Sequence, residues 1–259
     1  MIKWKLVLTT LPLVALVVAA KIVMERGFGL HGWVEFGDVS AVLTAGAFLI
    51  GFMLAGTMSD FKESEKLPSE LACTLETIED LISVSACKKG FDAKAARAAL
   101  LEVTDRAIQW FARKRPVGDV YAAIDGMNPH FQSMDLQGAT AHANRSLVFM
   151  NTIRRIIGRI EVVSKTGFLD SGYAILEIIV TAIIVLLLAS RFKTIVAEYT
   201  LITFITLVYV YMLRLIRDID DPFEYHSDLV RRGAAEVELF PLLDYRERAA
   251  ARLEHSETQ

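Results

Sequence analysis

Four stretches of this chain carry almost no charge: Leu6–Met24, Val39–Met58, Gly172–Ser190 and Tyr199–Ile216. Each is about 18–20 residues, the length that crosses a hydrocarbon core at ~1.5 Å per residue. Charge and apolar side chains are segregated along the sequence. That is how 53% hydrophobic residues and a mean hydropathy of +0.39 coexist with 23% charged residues. The pattern predicts an all-α membrane protein with four transmembrane helices and a lipid bilayer as its first partner. The leading run, preceded by "MIKWK" and ended by small residues, also has the make-up of a signal peptide.

Basic residues near span ends set the orientation. Lys3, Lys5, Lys62, Lys66, Arg154, Arg155, Arg159, Lys165, Arg214, Arg217, Arg231 and Arg232 fall on one side of a four-span layout. Arg26, Arg191, Lys193 and Lys21, inside the end of the first span, fall on the other. The expectation is an integral protein of a bacterial inner membrane with both termini cytoplasmic. Net charge is −3, so no global basic footprint argues for nucleic acid. Cys73 and Cys87 match no zinc spacing and read as small packing residues.

Composition divides the chain into residues 1–59 (spans one and two), 60–170 (a cytoplasmic helical domain), 171–217 (spans three and four) and a 218–259 tail. In the helical domain, apolar stripes recur at 3–4-residue spacing. They are Leu71, Leu75, Ile78 and Ile82, then Leu100, Val103, Ala107 and Trp110, then Phe149, Ile153, Ile156, Ile160 and Val163. Asp92 is placed to cap the second of these helices. The third is expected to begin between Asn128 and Asp135 and run to Gly167. "KRPVGDV" and "DGMNPHF" are breaks, and "AEVELF" near Ala235–Phe240 is the only strand-like alternation. The second span meets "SDFKESEK" with no turn residue between them. A helix continuing from the membrane into a soluble bundle makes one stiff unit, which suits a conduit or a signalling rod.

Two features lie on the second span. Ala47, Gly51, Ala55 and Ser59 form a small-residue stripe of the kind that lets helices pack closely in lipid. Phe48 and Phe52 are also four apart, with Thr44 one turn earlier. The phenylalanines would either contact lipid or, if several copies of this helix surround an axis, point inward as a hydrophobic neck. Aromatic edges are weakly positive, so such a neck tolerates an anion better than a cation.

These residues, followed by Leu67–Pro68, resemble the second span of bestrophins. The family's arginine and tryptophans are missing from "SDFKESEK", where Phe61 is the one aromatic. Asp220, Asp221, Pro222 and Phe223, with Asp228–Leu229 beyond, resemble the family's acidic motif after the membrane part. Glu224 stands where the family has glycine. The resemblance implies a pentameric ion channel with Phe48, Phe52 and Thr44 at its neck. It also raises calcium as a cofactor held by Asp218, Asp220, Asp221, Glu224 and Asp228. The competing reading of those acids is a solvated turn paired with nearby arginines, with no cofactor.

Glu177 inside the third span and Arg214 near the end of the fourth lie at similar depth if the two spans form a hairpin, within ~5 Å at ~1.5 Å per residue. They are expected to pair. No HExxH, GxSxG or P-loop occurs, so the chain reads as no enzyme. His130 and His142 read as satisfied polar residues. Asn144, Arg145, Asn151, Arg155 and Arg159 form a polar stripe, either solvated or lining a vestibule between copies. The leading expectation is a homo-oligomeric bestrophin-like channel, chloride or another anion favoured over a monovalent cation. The alternative is a membrane-anchored scaffold or signalling protein whose cytoplasmic bundle or tail, "EVELFPLLDYRERAAARL", docks a partner without conduction.

Overall fold

The computed structural model describes residues 2–29, 32–166, 170–225 and 235–255. The elements are α1 (Ile2–Ile22), closed by a π-helical turn at Val23–Gly27, β1 (Val34–Glu35), α2 (Phe36–Ser64), α3 (Leu67–Ser85), α4 (Ala93–Phe111), α5 (Val117–Asp125), α6 (Asn128–Leu136), α7 (Thr140–Lys165), α8 (Asp170–Ala189), β2 (Ser190–Arg191), α9 (Ile195–Asp220) and α10 (Phe240–His255). They fall into two compact units. One is made of residues 1–61 and 166–222, the other of residues 62–165, Phe223–Tyr225 and the chain from Glu236 onward.

In the first unit α1, α2, α8 and α9 supply the four helices long and apolar enough to cross a membrane. Their shared core is aliphatic: Val17, Ile50, Met53, Leu176, Val180, Ile183, Leu187, Ile202 and Ile216 are all buried. β1 and β2 pair in parallel at one end, Val34 opposite Ser190. Gly32 runs so close to the Ser190 carbonyl that a Cβ there would overlap it. These two short strands escape a pattern search because each is only two residues long.

α2 runs unbroken from Phe36 to Ser64, past the apolar stretch and through most of "SDFKESEK". It stops where the sequence reaches Leu67–Pro68. Pro68 has no amide to offer the Ser64 carbonyl and its ring would clash there. The chain turns at Glu65–Lys66 and restarts as α3 with the proline in its first turn. The expected continuation into the bundle is therefore two helices, not one.

The second unit is built mainly of helices. Leu71, Leu75, Ile78 and Ile82 are buried, and α3 packs on α7, α4 and α10. Asp92 caps α4, its Oδ1 accepting from the Ala95 amide at 2.9 Å. Trp110 stays half-buried and Phe111 takes the core position instead. The long third helix divides into α6 and α7. Gly138, at φ +79°, supplies a left-handed residue, and the Gly138 and Ala139 amides donate to Asp135 and Met134. That is a glycine-terminated helix end. Met150, Ile153, Ile157 and Ile160 make its buried stripe. Cys73 and Cys87 are exposed, not packed in the core.

Residues 236–239 are extended without strand pairing. Their fixed point is Tyr225, whose hydroxyl donates to the Val237 carbonyl at 2.6 Å. α10 then lays Leu242, Tyr245 and Ala249 against α3 and α4. Arg252 grips the buried Glu79 carboxylate with two bonds of 2.9 and 2.6 Å, and Arg246 reaches Asp105 at 2.8 Å. Burial, with Glu79 beside it, pushes the Tyr245 phenol well above its usual pKa. The tail's apolar face is thus used on its own bundle.

Two glycines test this account. Gly138→Ala meets no neighbouring atom but forces a left-handed alanine, a cost of roughly 1–2 kcal/mol. Gly118→Ala, inside α5 and equally open, should instead stabilise by about 1 kcal/mol. Denaturant unfolding of the purified protein should give these opposite signs.

Candidate functional site: the free face of the second span

α2 is two-faced within the chain. Val39, Gly46, Ile50, Met53 and Thr57 are buried, at the spacing of one helix side. At Gly46 the helix lies against side chains of α8 and α9. A Cβ there would lie 2.7 Å from Ile183 Cδ1 and 3.1 Å from Tyr209 Cε1, so only glycine fits without displacing them. The Tyr209 hydroxyl donates to the Leu43 carbonyl, bolting α9 to the same turn.

The remaining face is open to the surroundings among the described residues. Thr44, Ala47, Phe48, Gly51, Phe52, Ala55 and Ser59 are all exposed. Phe48 is 78% and Phe52 68% exposed, among the most open large apolar side chains described. A Cβ on Gly51 would meet open space. The small stripe and the aromatic pair therefore share one free surface, and the stripe contributes nothing to packing inside the chain. The Thr44 hydroxyl is bonded back to the Ser40 carbonyl at 2.9 Å.

At the other end of α8, Glu177 pairs with Arg217, not with Arg214. The depth count was within one turn of the right residue, and the angular position of Arg217 on α9 decides the partner. Arg217 also lies over the Tyr173 ring, 5.9 Å from its centroid. Of the acidic run, Asp218, Asp220, Asp221 and Glu224 are engaged in other interactions, and Asp228 lies outside the described residues, as do Arg231 and Arg232. Among the described residues no three His, Cys, Asp or Glu side chains gather closely enough to hold a metal ion. In the second unit His142 Nδ1 shares a hydrogen bond with Ser85 Oγ at 2.9 Å. Arg159 takes Glu63 with bonds of 2.9 and 2.8 Å, so this part of the polar stripe is paired within the chain.

Sequence reasoning counted Lys21 only as a topological charge. It is the centre of a buried cluster. Its ammonium, 1% exposed, donates to the Leu188 and Ser190 carbonyls at 3.0 and 2.8 Å and sits 2.9 Å from Glu198 and 3.3 Å from Glu25. The Tyr199 hydroxyl donates to Glu25 at 3.0 Å. One cation ties α1 to the ends of α8 and α9. The i, i+4 pair Lys21–Glu25 is legible in the sequence, but nothing local points to Ser190 or Glu198.

No family model matches the sequence, and no curated protein matches it. The fold does find relatives. A crystal structure of a bacterial bestrophin homologue from Klebsiella pneumoniae overlays with a TM-score of 0.75, covering 96% of this chain and 98% of that one at 13% identity. Another structure of that homologue gives 0.75, with 95% and 97% covered, again at 13% identity. The chain has the bestrophin fold. The likeness covers nearly the full length of both chains, far beyond the second span and the acidic motif.

The Lys21 cluster makes a direct prediction. Lys21→Met leaves the buried Glu198 and the half-buried Glu25 without their cation and should cost about 3–5 kcal/mol. Adding Glu198→Gln should restore part of it. Thermal unfolding in detergent reads both.

Proposed function

We propose that this protein is a homo-oligomeric ion channel of bestrophin type. Its second spans surround a common axis and Phe48 and Phe52 form the neck. One observation carries the reading: α2 is locked on one side by Gly46 while its small stripe and its aromatic pair are both left open. In an oligomer each open feature has a use. Ala47, Gly51 and Ala55 let neighbouring copies approach closely, and the benzyl groups constrict the conduit and gate it by dewetting. Five subunits follow from the resemblance to bestrophins.

The preferred ion is an anion, chloride the simplest, since the ring edges present weak positive charge along a neck without formal charge. The termini lie in the cytoplasm of a bacterial cell, by the basic bias of the inner segments. Against the scaffold alternative, α10 packs Leu242, Tyr245 and Ala249 on α3 and α4.

Proteoliposomes test the reading. Phe48→Ala and Phe52→Ala should each raise ion flux several-fold over the unaltered protein, and reversal potentials in unequal chloride should follow the chloride gradient. Native mass measurement in detergent should give a single oligomer. Flux indifferent to both substitutions, or a stable monomer, would remove the neck.

A further inference from the structure

The loop between α4 and α5 builds a second feature, independent of conduction. A cavity of about 680 Å³ lies in the helical unit, lined by Arg113, Lys114 and Arg115 from this loop and by Lys165 at the end of α7. Glu161 is the one carboxylate in the lining, so four cations face one anion in a chain whose net charge is −3. Two cations are already engaged: Lys165 with Glu161 at 2.6 Å and Arg115 with Asp119 at 3.2 Å. Arg113 and Lys114 have no side-chain partner among the described residues. Both are exposed.

The floor is aromatic. Trp110 lines it beside Phe111, ring centroids 5.1 Å apart, and Phe223 follows at 6.0 Å from Phe111. Cations above an amphipathic indole suit a ligand with an anionic head and an apolar body.

The backbone is bent to make this site. α4 ends in a Schellman turn, with the Arg113 amide donating to Trp110 and the Lys114 amide to Gln109. The left-handed position, normally glycine, is held by Arg113 at φ 53°, the one non-glycine residue described with positive φ. An arginine kept where glycine is easier is a strained choice that marks a functional position.

Along the chain, two lining residues flank the third and fourth spans. Lys165 is the last residue of α7, shortly before the third span begins at Gly172. Phe223 follows Asp220, the last residue of the fourth, within ~10 Å of extended chain. Juxtamembrane cations beside such ends attract anionic headgroups.

We propose that this cavity binds the phosphate headgroup of an anionic phospholipid. Arg113 and Lys114 hold the phosphate, and Trp110 contacts the glycerol and first acyl carbons.

The test uses the full chain in nonionic detergent with Trp4→Phe and Trp33→Phe, both exposed positions, which leaves Trp110 as the only indole. Titration with dioctanoyl phosphatidylglycerol should shift Trp110 emission saturably. Dioctanoyl phosphatidylcholine should not, and inorganic phosphate should bind at least tenfold more weakly. Arg113→Gly with Lys114→Gln should weaken the phosphatidylglycerol response at least tenfold. Arg113→Gly alone relieves the backbone, so it should weaken binding while raising the unfolding temperature, which separates lost binding from lost fold. Undiminished phosphatidylglycerol binding in the double variant would overturn the proposal. So would an equal response to phosphatidylcholine. Equal affinity for inorganic phosphate would assign the cavity to a soluble anion and overturn the lipid reading.

Discussion

The contact at Gly46 determines which way the second span faces. A missing side chain lets Ile183 and Tyr209 press against the α2 backbone, and the Tyr209 hydroxyl holds the Leu43 carbonyl one turn earlier. In lipid, helices gain little from mere apolarity, because the tails around them are equally apolar. Close backbone approach and a hydrogen bond are what fix rotation. Once α2 is fixed at Gly46, the 3.6-residue repeat places Thr44, Phe48, Phe52 and Ala55 on the open side. Val39, Ile50, Met53 and Thr57, buried on the same side, hold that facing along the helix.

Two of the glycines of this helix, Gly46 and Gly51, lie five residues apart and have opposite environments. One is filled by side chains from α8 and α9; the other meets open space. A small residue on a membrane helix therefore has no single meaning. Inside a chain it is consumed by packing, and on the outside it leaves a shallow groove that another helix backbone can enter.

The spans and the buried stripes of α3, α4 and α7 were legible because helix periodicity and apolar length act locally. What the sequence hid was decided at a distance or by one residue's backbone. Gly138 splits a helix that is continuous in apolar pattern, since a left-handed residue leaves no trace in periodicity. Glu177 chose Arg217 over Arg214 because depth along a hairpin says nothing about angle around it. Pro68 was visible, yet its effect is a short turn at Glu65–Lys66 that no composition shift announces. At the free face the candidate residues were legible as a pattern, but which side of α2 stayed open was not, since Tyr209 is too far along the chain to be paired with Leu43 by inspection.

The buried ammonium of Lys21 has a consequence for how the protein is made. Its carbonyl partner Leu188 is encoded 167 residues later. At a synthesis rate of 5–20 residues per second, the wait is roughly 10–30 s. Of its two carboxylate partners, Glu25, in the π-helical turn after α1, is present throughout that interval, while Glu198 is not yet made. The Lys21 end of the first span reaches its final burial only when α8 and α9 arrive. The earliest segment to leave the ribosome is thus the latest to settle, and Lys21 acts as a latch that closes on a completed chain.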